Sequence, residues 1–170
     1  MGQVQAIAQV YGLQVGTSGP LQVAGLLRAI AASVQRTFNC PIVVATDGEV
    51  PHLLPEAEAI PVALTVNELF TNAIKHGSGG GVRCQLGVRD AAVRIRIASA
   101  ATLAPGFDLR EVRGGVAGLG LVRALLPRRS STLALTQQGG EVVAEVELRP
   151  PSVVLPEGAE PATGVQDPAL

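Results

Sequence analysis

Aromatic residues are nearly missing: Tyr11, Phe38, Phe70 and Phe107 are 2% of the 170 residues, and tryptophan is absent. Stacking platforms for single-stranded nucleic acid need such rings, so the scarcity argues against that class. Charge is also sparse, at 16% of residues against roughly 25% in an average globular domain. Thirteen basic and fourteen acidic residues leave a net charge of -1, which does not supply the basic face that phosphate backbones require. Cysteine is limited to Cys40 and Cys84, 44 residues apart with no CxxC, and histidine to His52 and His76. A disulfide scaffold or structural zinc site does not fit that usage, and a reducing cytoplasm is the expected compartment. No apolar run approaches the ~20 residues of a membrane span, and the N-terminus carries no signal-peptide pattern. Lysine is rarest among the basic residues: twelve of the thirteen are arginine and the other is Lys75.

Aliphatic residues are what the chain does have. Apolar residues reach 47% and mean hydropathy is +0.35, enough for one aliphatic core plus an arm or tail. Residues 3–13 read as a short amphipathic helix closing near Gly12, and residues 21–37 as a longer one with Val23, Leu26, Leu27, Ile30 and Val34 at helical spacing. Residues 41–46 read as a strand, 52–55 as a connector, and 58–76 as the strongest helix, with Pro61 in its first turn. Alternation over 82–88 and 92–98 predicts a hairpin, 99–117 a long loop, and 118–126 a helix ended by Pro127. Strands at 132–136 and 141–149 follow, joined at Gly139-Gly140. Five of the twelve prolines fall within 150–170, which reads as a disordered tail. The element order predicts an α/β (α+β) two-layer sandwich, a mixed, mostly antiparallel sheet packed on helices.

Two segments carry chemistry. On the helix through Asn67-Glu68-Leu69-Phe70-Thr71-Asn72-Ala73-Ile74-Lys75-His76, Val62, Val66, Leu69, Phe70 and Ala73 share one face, and Glu68, Asn72, Lys75 and His76 the other. An amide oxygen suits Mg²⁺, an ammonium suits phosphate, and a carboxylate can orient or deprotonate through water. A solvated polar face would show the same stripe. The second segment, Gly114-Gly115-Val116-Ala117-Gly118-Leu119-Gly120-Leu121-Val122, places glycines at a helix start, where backbone N–H groups can approach an anion. It lacks the Gly-Lys-Ser/Thr of a P-loop, and no strand leads into it as in a Rossmann fingerprint. The run Gly77 to Gly81 reads as a helix stop and strand entry.

Together these segments resemble a known family. Asn67 to Gly77 resembles the N box of histidine-kinase catalytic domains, and Gly118-Leu119-Gly120-Leu121-Val122 with Arg123-Ala124-Leu125 resembles their second glycine box. The wording, with Gly106-Phe107-Asp108-Leu109, looks most like the HWE and related HisKA_2 kinases of the GHKL superfamily. Residues 3–11 resemble the end of their second dimerisation helix. The resemblance implies the Bergerat ATP-binding fold over 16–149, preceded by the end of a dimerisation or linker helix over 1–15.

Further implications follow residue by residue. Asn72 would bind Mg²⁺, Glu68 would be the catalytic acidic residue one turn earlier, Lys75 would contact phosphate, and His76 would lie beside phosphates or ribose. Gly118, Leu119 and Gly120 would line the nucleotide. ATP and Mg²⁺ are the implied ligands. A phospho-accepting histidine domain and a response regulator are the implied partners, with neither nucleic acid nor a membrane contact, in a protein that is homodimeric at full length. The family's adenine-reading Asp-x-Gly-x-Gly aligns with Ala98 to Thr102, which puts Ala98 at the Asp position and predicts weak adenine recognition. His52 lies in the connector and His76 inside the motif, so the acceptor histidine is expected upstream or on another chain. Two other readings compete with a kinase domain: a degenerate module that docks a response regulator, and a stand-alone ATPase or serine kinase such as an anti-sigma factor. The helix at 3–13 argues against the latter.

Overall fold

The computed structural model describes residues 2–14, 19–115, 118–126 and 129–159. Its two longest helices each bury apolar residues against the sheet. Helix α2, Val23–Phe38, buries Val23, Leu26, Leu27, Ile30, Ala31 and Val34 along one stripe and ends at Asn39 in the left-handed conformation, φ 48°. Helix α3, Glu56–Lys75, begins at Pro55 and carries Glu56 and Glu58 in its first turn, where the helix dipole favours acids. It starts two residues earlier than the sequence predicts, so Pro61 lies in the second turn and deprives the Ala57 carbonyl of its intrahelical donor. Helix α1, Gly2–Gln14, runs through Gly12 and buries Ala6 and Val10.

Five strands form one sheet in the order β2-β4-β5-β7-β6. Strand β2 (Ile42–Asp47) lies parallel to β4 (Val82–Arg89), with α3 as the crossover between them. The remaining pairs, β4 with β5 (Ala92–Ala100), β5 with β7 (Glu141–Leu148) and β6 (Ser131–Gln138) with β7, are antiparallel. The β4–β5 turn is built on Asp90 and Ala91, both at positive φ (51° and 60°), the backbone twist that a two-residue hairpin favours.

Alternation along each strand separates two faces. Val82, Cys84, Leu86, Ile95, Ile97, Ala144 and Val146 point to the helices and form the core with Leu69 and Phe70 of α3. The opposite face carries charge ladders: Arg94 pairs with Glu147 at 2.6 Å, directly across the β5–β7 register, and Arg83 pairs with Glu141. The architecture is the expected two-layer sandwich with a mixed sheet.

Two expectations are corrected. Residues 52–55 are more than a connector, because β3 (Leu53–Leu54) pairs antiparallel with β1 (Leu21–Gln22) in a second, two-stranded sheet. Nor is the segment from 150 a disordered tail throughout. Leu53 and Val154 exchange backbone hydrogen bonds of 2.8 and 2.9 Å, the Ser130 and Ser152 hydroxyls bond at 2.5 Å, and Val153 is 0% exposed. Val154 pairs with the free edge of β3 while Val153 is buried, and together these offset the cost of ordering the segment. Residues 160–170 lie outside the described residues.

Candidate functional site

Leu69 and Phe70 pin the second half of α3 to the sheet, which turns Asn72 and His76 toward the ends of β5 and β7. A cavity of about 320 Å³ opens there. Its floor is the sheet, with Ile97, Val142 and Ala144, and its outer wall is Leu103, Phe107 and Leu119. Polar side chains enter at four places: Asn72, His76, Ser99 and Thr102. A largely apolar hollow with a few fixed polar groups is what a small-molecule site requires.

The loop after β5 is held in place by identifiable contacts. The Gln137 amide bonds Leu103 N–H at 2.8 Å and donates to the Ala101 carbonyl at 3.1 Å, taking the part of a missing strand. The Asp108 carboxylate accepts from Arg110 N–H at 2.8 Å and from its guanidinium at 2.7 Å. This pairing holds the Asp108 carboxyl below its ordinary range and raises Arg110. Arg123 of helix α4, Gly118–Leu125, then donates to the carbonyls of Arg110 (2.7 Å) and Val112, tying the loop to that helix.

Two glycines are required by close approach. A side chain on Gly120 would sit 2.5 Å from the Arg113 carbonyl, and one on Gly77 would sit 2.5 Å from the Ala73 carbonyl. The bare Gly77 allows Ser78 to donate through both N–H (2.8 Å) and hydroxyl (3.1 Å) to Ala100, so the end of α3 is anchored to the end of β5.

Of the residues singled out by sequence, Asn72, His76 and Leu119 line the cavity. Lys75 is exposed on the adjoining turn, outside the lining. Glu68 is 9% exposed and also outside the lining; its carboxylate accepts from Gly118 N–H at 3.2 Å and from the Gln3 amide at 3.3 Å. Gly118 thus faces Glu68, while Gly120 serves the packing of residues 113–115.

The expectation for Ala98 is corrected: it faces the charged side of the sheet beside Arg83 and Arg96, and Ser99 enters the cavity instead. Sequence reasoning could have found Ser99, because it shares parity with the core residues Ile95 and Ile97. Thr102, Leu103 and Phe107 fall in a stretch without periodicity and had no such signal. Among the described residues no group of three or more His, Cys, Asp or Glu side chains is placed to hold a metal ion.

No protein-family model matches the chain, and no curated protein matches it. Solved structures do. The histidine kinase domain of a blue-light activated histidine kinase from Erythrobacter litoralis superposes with a TM-score of 0.68 at 19% identity, over 86% of this chain and 72% of that one. Full-length ShkA in complex with AMPPNP gives 0.60 at 22% identity, over 86% of this chain and 35% of that one. Histidine kinase ThkA in complex with response regulator protein TrrA gives 0.60 at 15%, over 86% and 48%. The chain spans less than half of these last two. The two-layer sandwich whose α3, β5 and α4 enclose the cavity has the fold of histidine-kinase catalytic domains.

Proposed function

We propose that this chain is the ATP-binding catalytic domain of a two-component sensor histidine kinase. One observation carries the reading: Asn72 and His76 of the first motif and Leu119 of the second, far apart in sequence, line one cavity of nucleobase-accommodating size. The AMPPNP complex of ShkA and the response-regulator complex of ThkA, both of similar fold, support it. The apolar walls take the base, and the phosphates extend past Asn72 toward the exposed Lys75, a point charge suited to them. The Asn72 amide oxygen fits Mg²⁺, which takes few protein ligands and completes its shell with phosphate oxygens and water. Bound there, the ion would neutralise phosphate charge. Glu68 holds Gly118 and, through it, the start of α4 against the nucleotide, so its part in catalysis is positioning.

In the reaction the γ-phosphoryl leaves ADP for an imidazole nitrogen of a histidine outside these 170 residues, and the phosphohistidine then serves a response regulator. His52 is buried and His76 lies in the nucleotide wall, so neither is the acceptor. The full-length protein acts as a homodimer in the cytoplasm; no helix among the described residues is long and apolar enough to cross a membrane.

A second reading, a docking module without phosphoryl transfer, is favoured by one feature: Lys75 and Glu68 both lie outside the cavity lining. Calorimetric titration with Mg-ATP separates the two. The kinase reading expects saturable binding that Asn72→Ala weakens at least about tenfold with the melting temperature kept. An unmodified chain that binds no nucleotide selects the docking module.

A further inference from the structure

We propose that the base end of this cavity reads purines without discriminating adenine from guanine, and that Ser99 is the residue responsible. The inference rests on the reading of the cavity as a nucleoside triphosphate site. It begins with what the lining holds: among the described residues no Asp, Glu, Lys or Arg side chain contributes to it. Its polar members are an amide (Asn72), an imidazole (His76) and two hydroxyls (Ser99, Thr102), each able to donate as well as accept. Asn72 lies on the last turn of α3 and His76 caps its C-terminus, beside Lys75 and on the side read for the phosphates. Ser99 and Thr102 lie at the end of β5 and in the loop after it, and they are left for the base.

Ser99 is the buried one, 5% exposed, and strand register fixes its position. It pairs with Val82 on β4 and Val142 on β7, so its side chain shares the cavity face with Ile97 and Ala144. A hydroxyl on a regular strand turns about one bond and presents either its proton or its lone pairs.

The two purines differ at this edge by reversal. Adenine offers a 6-amino donor beside an N1 acceptor, and guanine a 6-oxo acceptor beside an N1–H donor. An acceptor-only carboxylate would pair with the first and repel the second. Losing such a charge-assisted hydrogen bond corresponds to about 10- to 150-fold in affinity. The Ser99 hydroxyl accepts from the adenine amino group or donates to the guanine oxygen by rotating, and no other side chain among the described lining residues has a fixed polarity.

The test is calorimetric titration of the full chain with Mg-ATP and Mg-GTP, alone and in competition. The expected result is dissociation constants within about threefold of each other. Ser99→Ala should weaken both nucleotides together, and Ser99→Asp should weaken GTP at least about tenfold relative to ATP. A preference of the unmodified chain for ATP beyond about tenfold would overturn the inference and leave the nucleotide site standing. Unchanged affinities in Ser99→Ala would overturn the assignment to Ser99. Binding of neither nucleotide would instead remove the nucleotide reading itself. The ratio in the unmodified chain decides the matter even where Ser99→Asp does not fold.

Discussion

Glu68 shows how a residue chosen for its chemistry is used by its surroundings. Its two oxygens divide between α4, through Gly118 N–H, and α1, through the Gln3 amide, and the side chain is nearly closed off from water. Glu68→Ala would leave the Gly118 donor without this acceptor, at a cost of about 1–3 kcal/mol. The expected outcome is a melting temperature lower by about 2–4 °C for each kcal/mol, read by circular dichroism. Glu68→Gln, which keeps one acceptor oxygen, should lose less. Equal melting of Glu68→Ala and the unmodified chain would mean that the carboxylate does not hold α4.

Among the elements, the segment after β7 has the largest consequence for stability. Arg149 N–H bonds the Ser130 carbonyl at 2.7 Å, Ser152 N–H returns to the Arg149 carbonyl at 2.8 Å, and Val154 then joins the edge of β3. The chain is thereby strapped from the end of the large sheet across to the small one. Val153→Asp, at a fully buried position, should cost about 2–4 kcal/mol, and ending the chain at Arg149 should cost at least as much. Urea unfolding of both variants checks this; a midpoint unchanged by Val153→Asp would show that the strap contributes nothing.

For the whole molecule, pH enters through His52. The residue is 6% exposed, its Nδ1 has no hydrogen-bond partner among the described residues, and burial holds its pKa below the ordinary 6.5. The unfolded chain therefore binds the proton more readily than the folded one, and stability falls as pH drops through the ordinary histidine range. Asp108 titrates in a lower window because Arg110 depresses it. Between about pH 7 and about pH 5 the melting temperature should decline, and His52→Gln should flatten that decline. Parallel slopes for the two proteins would assign the acid sensitivity elsewhere. Burial also pushes the Cys84 thiol up to about 12, so this core residue stays neutral throughout.

Local pattern settled a great deal of this protein. The apolar stripes of α2 and α3, the alternation of β4 and β5, and the motif from Asn67 to Gly77 are properties of neighbouring residues, and the elements that carry them form within about two residues of where the sequence places them. Asn72, His76 and Leu119 could be chosen for the same reason, since a motif is local. Contacts between distant segments decided the rest. The two-residue strands β1 and β3 have too few positions to show a period, and they exist because each pairs with the other. Val154 reads as part of a proline-rich tail until β3 offers it an edge. Glu68 looks like a free carboxylate on a helix until α1 and α4 close over it. Ser99 replaces Ala98 at the cavity because a strand turns alternate side chains to opposite faces, and only packing of the helices on one face made that face the site.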